Sequence, residues 1–300
     1  MQKIIFEKES ADQKVIKLCK QELARKYPGD LKREKRLQEE LDVIADSDML
    51  GMAFCAVAVL TETIKNHYGA VHNLRGTAGS CLVTYLLGIS NCNPVMDEYE
   101  LPYEEFLLPA TNIICFDINI DRPEFQLINK TLAEVLPEGI INLQEFKTDE
   151  GCKPDDACQR VDVVFNLGNN HVAEHTRIDV DKADGKMVYS IGDSSAEENA
   201  GFTIRFLRNR DIDLLNEVIN LFDDRQLPEW PEIEKEAISL FKEKRIAGLP
   251  EFGNAFVMDC ILNIVTPHNF SEAVKVLGLA HGTDVWLGNA QRLIAQSGYG

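Results

Sequence analysis

The run "MLGMAFCAVAVL", Met49 to Leu60, constrains the fold more than any other stretch of this sequence. It carries no charge, and as a helix it would present apolar side chains on every face, so it must lie surrounded by other elements. Thr61, Glu62 and Lys65 follow at once, which leaves the apolar length well short of a bilayer span. Residues 48–66 therefore read as a central, buried helix. A chain of 300 residues with 45% hydrophobic content can build a core around it, as one large domain or two.

The elements around that helix follow from periodicity and punctuation. Residues 11 to about 45 read as two helices broken at "YPGD", the second carrying Leu31, Leu37, Leu41 and Ile44 at helical spacing. "RGTAGS", Arg75 to Ser80, reads as a turn that leads into a helix ending near Leu87. "NIICFDINID", Asn112 to Asp121, alternates and is β-branched, as a strand with one apolar and one acidic face should be. "RIDVDKADGKMVYSIGD" reads as a hairpin turning at Ala183 to Gly185, and "FTIRFL", Phe202 to Leu207, as a further strand. Helical patterns dominate from Asp211 onward, interrupted by "LPEW" and "GLPEFGN".

Composition narrows the function classes. The N-terminus lacks the basic start and apolar segment of a signal peptide, so a cytoplasmic address is expected. Eight cysteines occur without a CxxC, and Cys152 and Cys158 have the wrong gap for a zinc knuckle; reduced thiols are expected rather than disulfides or zinc. A net charge of −18 argues against coating nucleic acid by bulk electrostatics. The bases concentrate early, eleven Lys or Arg against eight acids in residues 1–40, so any polyanion contact should be sought near the N-terminal third, although charge runs on helices are more often solvated faces.

Four stretches could carry chemistry. In "RGTAGS" the small residues would let a phosphate approach unpaired N–H groups at a helix start, with Arg75 and the Thr77 hydroxyl as added donors. The pattern matches neither the Walker A nor the dinucleotide fingerprint, so a plain turn feeding a buried helix stays open beside it. In "DINID", Asp117, Asn119 and Asp121 share one strand face, a metal face or a solvated polar one. "GNNHVAEH" sets His171 and His175 four apart without a third ligand, which reads as surface histidines. "GLAHGTDVWLGNAQRLI", Gly278 to Ile294, reads as a Gly-rich turn with His281 leading into a helix that carries Trp286 and Arg292.

Taken in order, "RGTAGSCLVTYLLGISNCNPV", "LPYEEFLLP", "FDINID", "GLPEFGNAFV" and "GLAHGTDVWLGNAQRLI" resemble the PolC-type alpha subunit of bacterial DNA polymerase III. The last segment is the most specific. The resemblance covers residues 15–126 and 230–295, with 127–230 diverged. The family's exonuclease, PHP domain and C-terminal fingers and tail find no counterpart here, so the expectation is a palm with the start of the fingers.

That resemblance implies an α/β (α+β) fold: a nucleotidyltransferase-like palm sheet flanked by helices, with a helical, finger-like C-terminal part. The implied organisation is a helical segment over 1–47, a palm-like domain over 48–228 and a finger-like segment over 229–300. Arg75, Gly76 and Thr77 match the family's Arg-Gly-Ser triphosphate contact, with Gly79 and Ser80 in the same turn. The family's Pro-Asp-hydrophobic-Asp strand becomes Phe116-Asp117-Ile118-Asn119, which keeps one Mg²⁺ ligand and turns the other into an amide. Asp121 does not obviously restore it, since four residues along a strand separate Cα atoms by roughly 13 Å, whereas paired metals sit about 3.5–4 Å apart. The third family carboxylate falls on "TIRFLR", where Arg205 stands; a shifted register would bring Asp213 instead. The implied ligands are a nucleoside triphosphate and DNA, with His281 to Arg292 near nucleotide or template, and other replication proteins as partners; no membrane is implied. The expected function is that of a catalytically degenerate pseudo-polymerase, with an active Mg²⁺-dependent polymerase or a protein-interaction scaffold as alternatives.

Overall fold

The computed structural model describes residues 4–5, 7–68, 71–97, 99–108, 114–123, 131, 134–135, 142–148, 159–166, 176–180, 187–191, 201–221, 234–246, 248–249, 252–280 and 285–297. The chain divides into two compact units, Met1–Val218 and Ile219–Gly300. His171, His175, Cys152, Cys158, His281, the "LPEW" break and the expected hairpin turn at 183–185 lie outside the described residues.

Three helices open the first unit. α1 (Lys8–Lys26) starts where the Glu7 carboxylate accepts from Ser10 N, and α2 (Leu31–Asp46) where Asp30 Oδ1 accepts from Arg33 N at 3.0 Å. The break expected at "YPGD" is this pair of ends, with Gly29 at φ 76° between them. α1 buries Ala11, Val15, Cys19 and Leu23, and α2 buries Leu37, Leu41 and Ile44. α3 (Leu50–Tyr68) is the central helix: Ala53, Phe54, Ala56, Val57 and Leu60 are all wholly buried. A short 3-10 turn, Thr77–Ser80, then feeds α4 (Leu82–Leu86), and α5 (Glu104–Leu107) follows.

A five-stranded mixed sheet completes the unit. Its strands are β1 (Asn73–Arg75), β2 (Ile114–Ile120), β3 (Asn142–Thr148), β4 (Gln159–Asn166) and β7 (Gly201–Arg208), ordered β1-β2-β7-β4-β3. β2 and β7 run parallel; the other pairs are antiparallel. β5 (Thr176–Val180) and β6 (Met187–Ile191) form a separate antiparallel hairpin, as the sequence pattern expects. Alternation sends Ile114, Phe116, Ile118 and Ile120 of β2, and Phe202, Ile204 and Phe206 of β7, into one core with α1, α2 and α3. Phe54, Phe106 and Phe116 meet edge to face at 5.0–6.1 Å between centroids, pinning β2 to α3 and α5. α6 (Arg210–Ile219) follows β7.

The second unit is helical. α7 (Glu234–Lys242), a π-type turn at Phe256–Ile261 and α8 (Phe270–Ala280) enclose Ile238, Phe241, Val257, Ile261, Val276 and Trp286. The single helix carrying both Trp286 and Arg292 that the sequence pattern predicts does not form. Leu287 (ψ 123°) and Gly288 (φ 73°) break the helical path, so Trp286 precedes the break and Arg292 lies beyond it on α9 (Gln291–Ser297). Glycine tolerates that positive φ, and its local turn outweighs the helical periodicity around it. No single helix among the described residues is long and apolar enough to cross a membrane.

Candidate functional site

The "RGTAGS" turn and the Asp117 strand are neighbours. β1 pairs antiparallel with β2 so that Arg75 lies in register with Asp117, and Leu74 with Ile118. On the other side β7 pairs in parallel, setting Arg205 in register with Asp117. Registered residues share a sheet face, so Arg75, Asp117 and Arg205 form one cross-strand row. Asp162 on β4 and Glu145 on β3 hold the next two register positions.

Within the row, Arg205 Nη1 lies 3.1 Å from Asp117 Oδ1, with both side chains about one third exposed (30% and 33%). Cys115 Sγ approaches the same carboxylate oxygen at 3.6 Å. Asn119 is 4% exposed, and its Oδ1 has no hydrogen-bond partner. Asp121 follows the end of β2, buried, and accepts from Asn216 Nδ2 at 2.9 Å. The reading of "DINID" as a solvated polar face therefore fails at Asn119 and Asp121, since both are buried. Asp213 sits in the first turn of α6, where it accepts from the Arg122 backbone N and approaches Arg208. Arg292 is exposed.

The turn itself is built by Gly76 and by residues upstream in α2. Gly76 adopts φ 74° and ψ −165°, a region open essentially to glycine alone. Ser80 Oγ donates to Thr77 O at 2.7 Å, and Thr84 Oγ1 to Ala78 O at 3.0 Å, closing the loop on itself. Arg75, Gly76 and Thr77 are exposed, while Ala78 and Ser80 are buried. The amides of Leu82 and Val83, at the start of α4, are already taken. They donate to Glu40 Oε1 at 2.8 Å and Oε2 at 2.9 Å.

Glu40 is fully buried on α2 and pairs with Arg36 at 2.7 Å. Burial pushes its carboxyl up, while the two amides and Arg36 hold it back. Arg36 also donates to Ser80 O at 2.9 Å, Leu101 O at 2.7 Å and Glu100 Oε1 at 2.9 Å, with its guanidinium over the Tyr103 ring. Two of the segments singled out in the sequence, "RGTAGS" and "LPYEEF", are thus joined through a third element. Sequence reasoning missed Arg36 and Glu40: at i, i+4 they look like an ordinary surface pair.

Two profiles of known families match. That of the bacterial DNA polymerase III alpha NTPase domain matches residues 13–133, and that of the bacterial DNA polymerase III alpha subunit finger domain matches residues 211–299. The chain belongs to the bacterial DNA polymerase III alpha family. Similar curated proteins are the PolC-type DNA polymerases III of Staphylococcus epidermidis, 59% identical over 49 residues, and of Bacillus subtilis, 60% identical over 47. Each aligned stretch covers 16% of this chain and 3% of the relative's length. In the DNA polymerase III alpha match, the first segment holds Arg36, Glu40, the turn and Asp117, and the second holds Asp213, His281 and Arg292. Arg205 falls between them.

The described residues do not fit the divalent cations that such a family implies. Asp117 is paired with a guanidinium, Asn119 offers one buried neutral oxygen, and Asp121 is engaged by Asn216. Among the described residues no three His, Cys, Asp or Glu side chains converge to hold a metal ion. Bridging two cations needs carboxylates that offset their charge, and an arginine adds to it.

Proposed function

We propose that this chain is a catalytically degenerate DNA polymerase III alpha palm with the start of the fingers, binding a nucleoside triphosphate without transferring it. The Asp117–Arg205 ion pair is the observation that carries this reading. Arg75, Gly76 and Thr77 take the triphosphate, the family resemblance assigns His281 and Arg292 to nucleotide or template contact, and DNA and replication proteins of the bacterial cytoplasm are the partners. The family profiles support this, as does the register of Arg75 beside Asp117. The same reading assigns 1–47 to a helical lead-in, 48–228 to the palm and 229–300 to the fingers.

Calorimetric titration with a nucleoside triphosphate, paired with a primer-extension assay, tests it. Triphosphate binding that Arg75→Ala abolishes, with extension at background, is the expected result. Robust extension abolished by Asp117→Ala would instead establish an active Mg²⁺-dependent polymerase, with Asp162 and Asp213 the first acids to examine. An absence of triphosphate binding would leave a protein-interaction scaffold.

A further inference from the structure

We propose that Arg36 and Glu40 are positioning residues of the phosphate-binding turn, a pair on α2 that holds the turn from behind in the conformation that presents Arg75 and Thr77. This rests on the reading of that turn as a triphosphate contact. Burying an ion pair is a poor way to gain stability, because desolvation consumes the Coulombic gain and an apolar pair of similar volume serves as well or better. What a charged pair supplies is direction, and this one is used in that way. Its six hydrogen bonds comprise the Arg36–Glu40 contact itself and five that reach other segments: Ser80 O, Leu82 N, Val83 N, Leu101 O and Glu100 Oε1.

The constraint is relayed to the exposed end of the turn. Arg36 fixes the Ser80 carbonyl, the Ser80 hydroxyl fixes the Thr77 carbonyl, and Thr84 fixes those of Ala78 and Cys81. Glu40 occupies the Leu82 and Val83 amides with a carboxylate of the protein's own, so a phosphate meets the turn only at its Arg75 to Thr77 end. A turn held in its binding conformation loses little freedom when ligand arrives, which is where the affinity gain comes from.

The test uses the full chain and inorganic triphosphate as probe, read by calorimetry, with amide hydrogen exchange and melting temperature alongside. The informative variant is the double change Arg36→Met with Glu40→Leu, which removes the directional bonds while filling the same volume. It strips partners from four backbone groups and so should lower the melting temperature while leaving the chain folded, speed exchange at the amides of Leu82 and Val83, and weaken triphosphate binding by about tenfold. Glu40→Gln, which keeps one acceptor oxygen, should lie between it and the parent. If the double variant folds and binds triphosphate as tightly as the parent, whose binding still depends on Arg75, the positioning role is overturned and the nucleotide reading survives. If the parent binds no triphosphate, both are overturned.

Discussion

Gly76 holds a backbone conformation that a side chain would resist, although nothing within 4 Å would obstruct a Cβ there. Gly76→Ala therefore isolates backbone strain, and should cost about 1–3 kcal/mol in chemical denaturation without opening a cavity. Asp30 is the second informative residue. It caps α2 through Arg33 N, the largest cause of a carboxyl held below its usual range, with the Arg33 side chain contributing further. A depressed folded-state value means the stabilisation is present above the unfolded carboxyl range near 4 and is lost as pH falls through the folded value. Asp30→Ala should lower stability by about 1 kcal/mol at neutral pH. The deficit should shrink in acid, which urea melts at pH 7 and pH 3 would check; an equal deficit at both would show that the cap does not act through its charge.

At the scale of elements, β2 and β7 meet at Asp117 and Arg205, and partial exposure makes that pair worth only roughly 0.2–1 kcal/mol. Arg205→Ala should leave the fold nearly as stable while freeing Asp117. Adding Asn119→Asp should then raise Mn²⁺ affinity measurably in a calorimetric titration, and unchanged heats would count against Asp117 as a cation ligand in any variant. The elements themselves were largely legible in sequence. The alternation of Ile114 to Ile120 gave β2, unbroken apolar character gave α3, and Tyr27 to Asp30 gave the α1–α2 break, because each pattern is local. The setting of the turn was not legible. Arg36 and Glu40 act on residues more than forty positions away, and periodicity carries no information about a partner at that distance. Likewise the burial of Asn119 depends on packing outside its own strand, and the break at Leu287 and Gly288 overrides a helical pattern that runs on either side of it.

At the scale of the molecule, two cores lie in two units. Trp286, 1% exposed, anchors the second with Val257 and Ile261. Trp286→Ala removes a side chain whose loss typically costs about 3–5 kcal/mol, enough to unfold a unit of this size. Calorimetry should then show one transition weakened or lost while the one belonging to the first unit persists; a common shift of all unfolding would mean that the units melt together. The parallel pairing of β2 with β7 also has a kinetic consequence. Asp117 and Arg205 are 88 residues apart, so the centre of the sheet closes only after a long loop has been brought together, and such non-local pairing slows folding. During synthesis α1, α2, α3 and β2 emerge well before β7, leaving one edge of β2 unpaired and its apolar face dependent on the helices alone. A nascent chain paused between residues 125 and 200 is thus the species most prone to aggregate, and the one with most to gain from a chaperone.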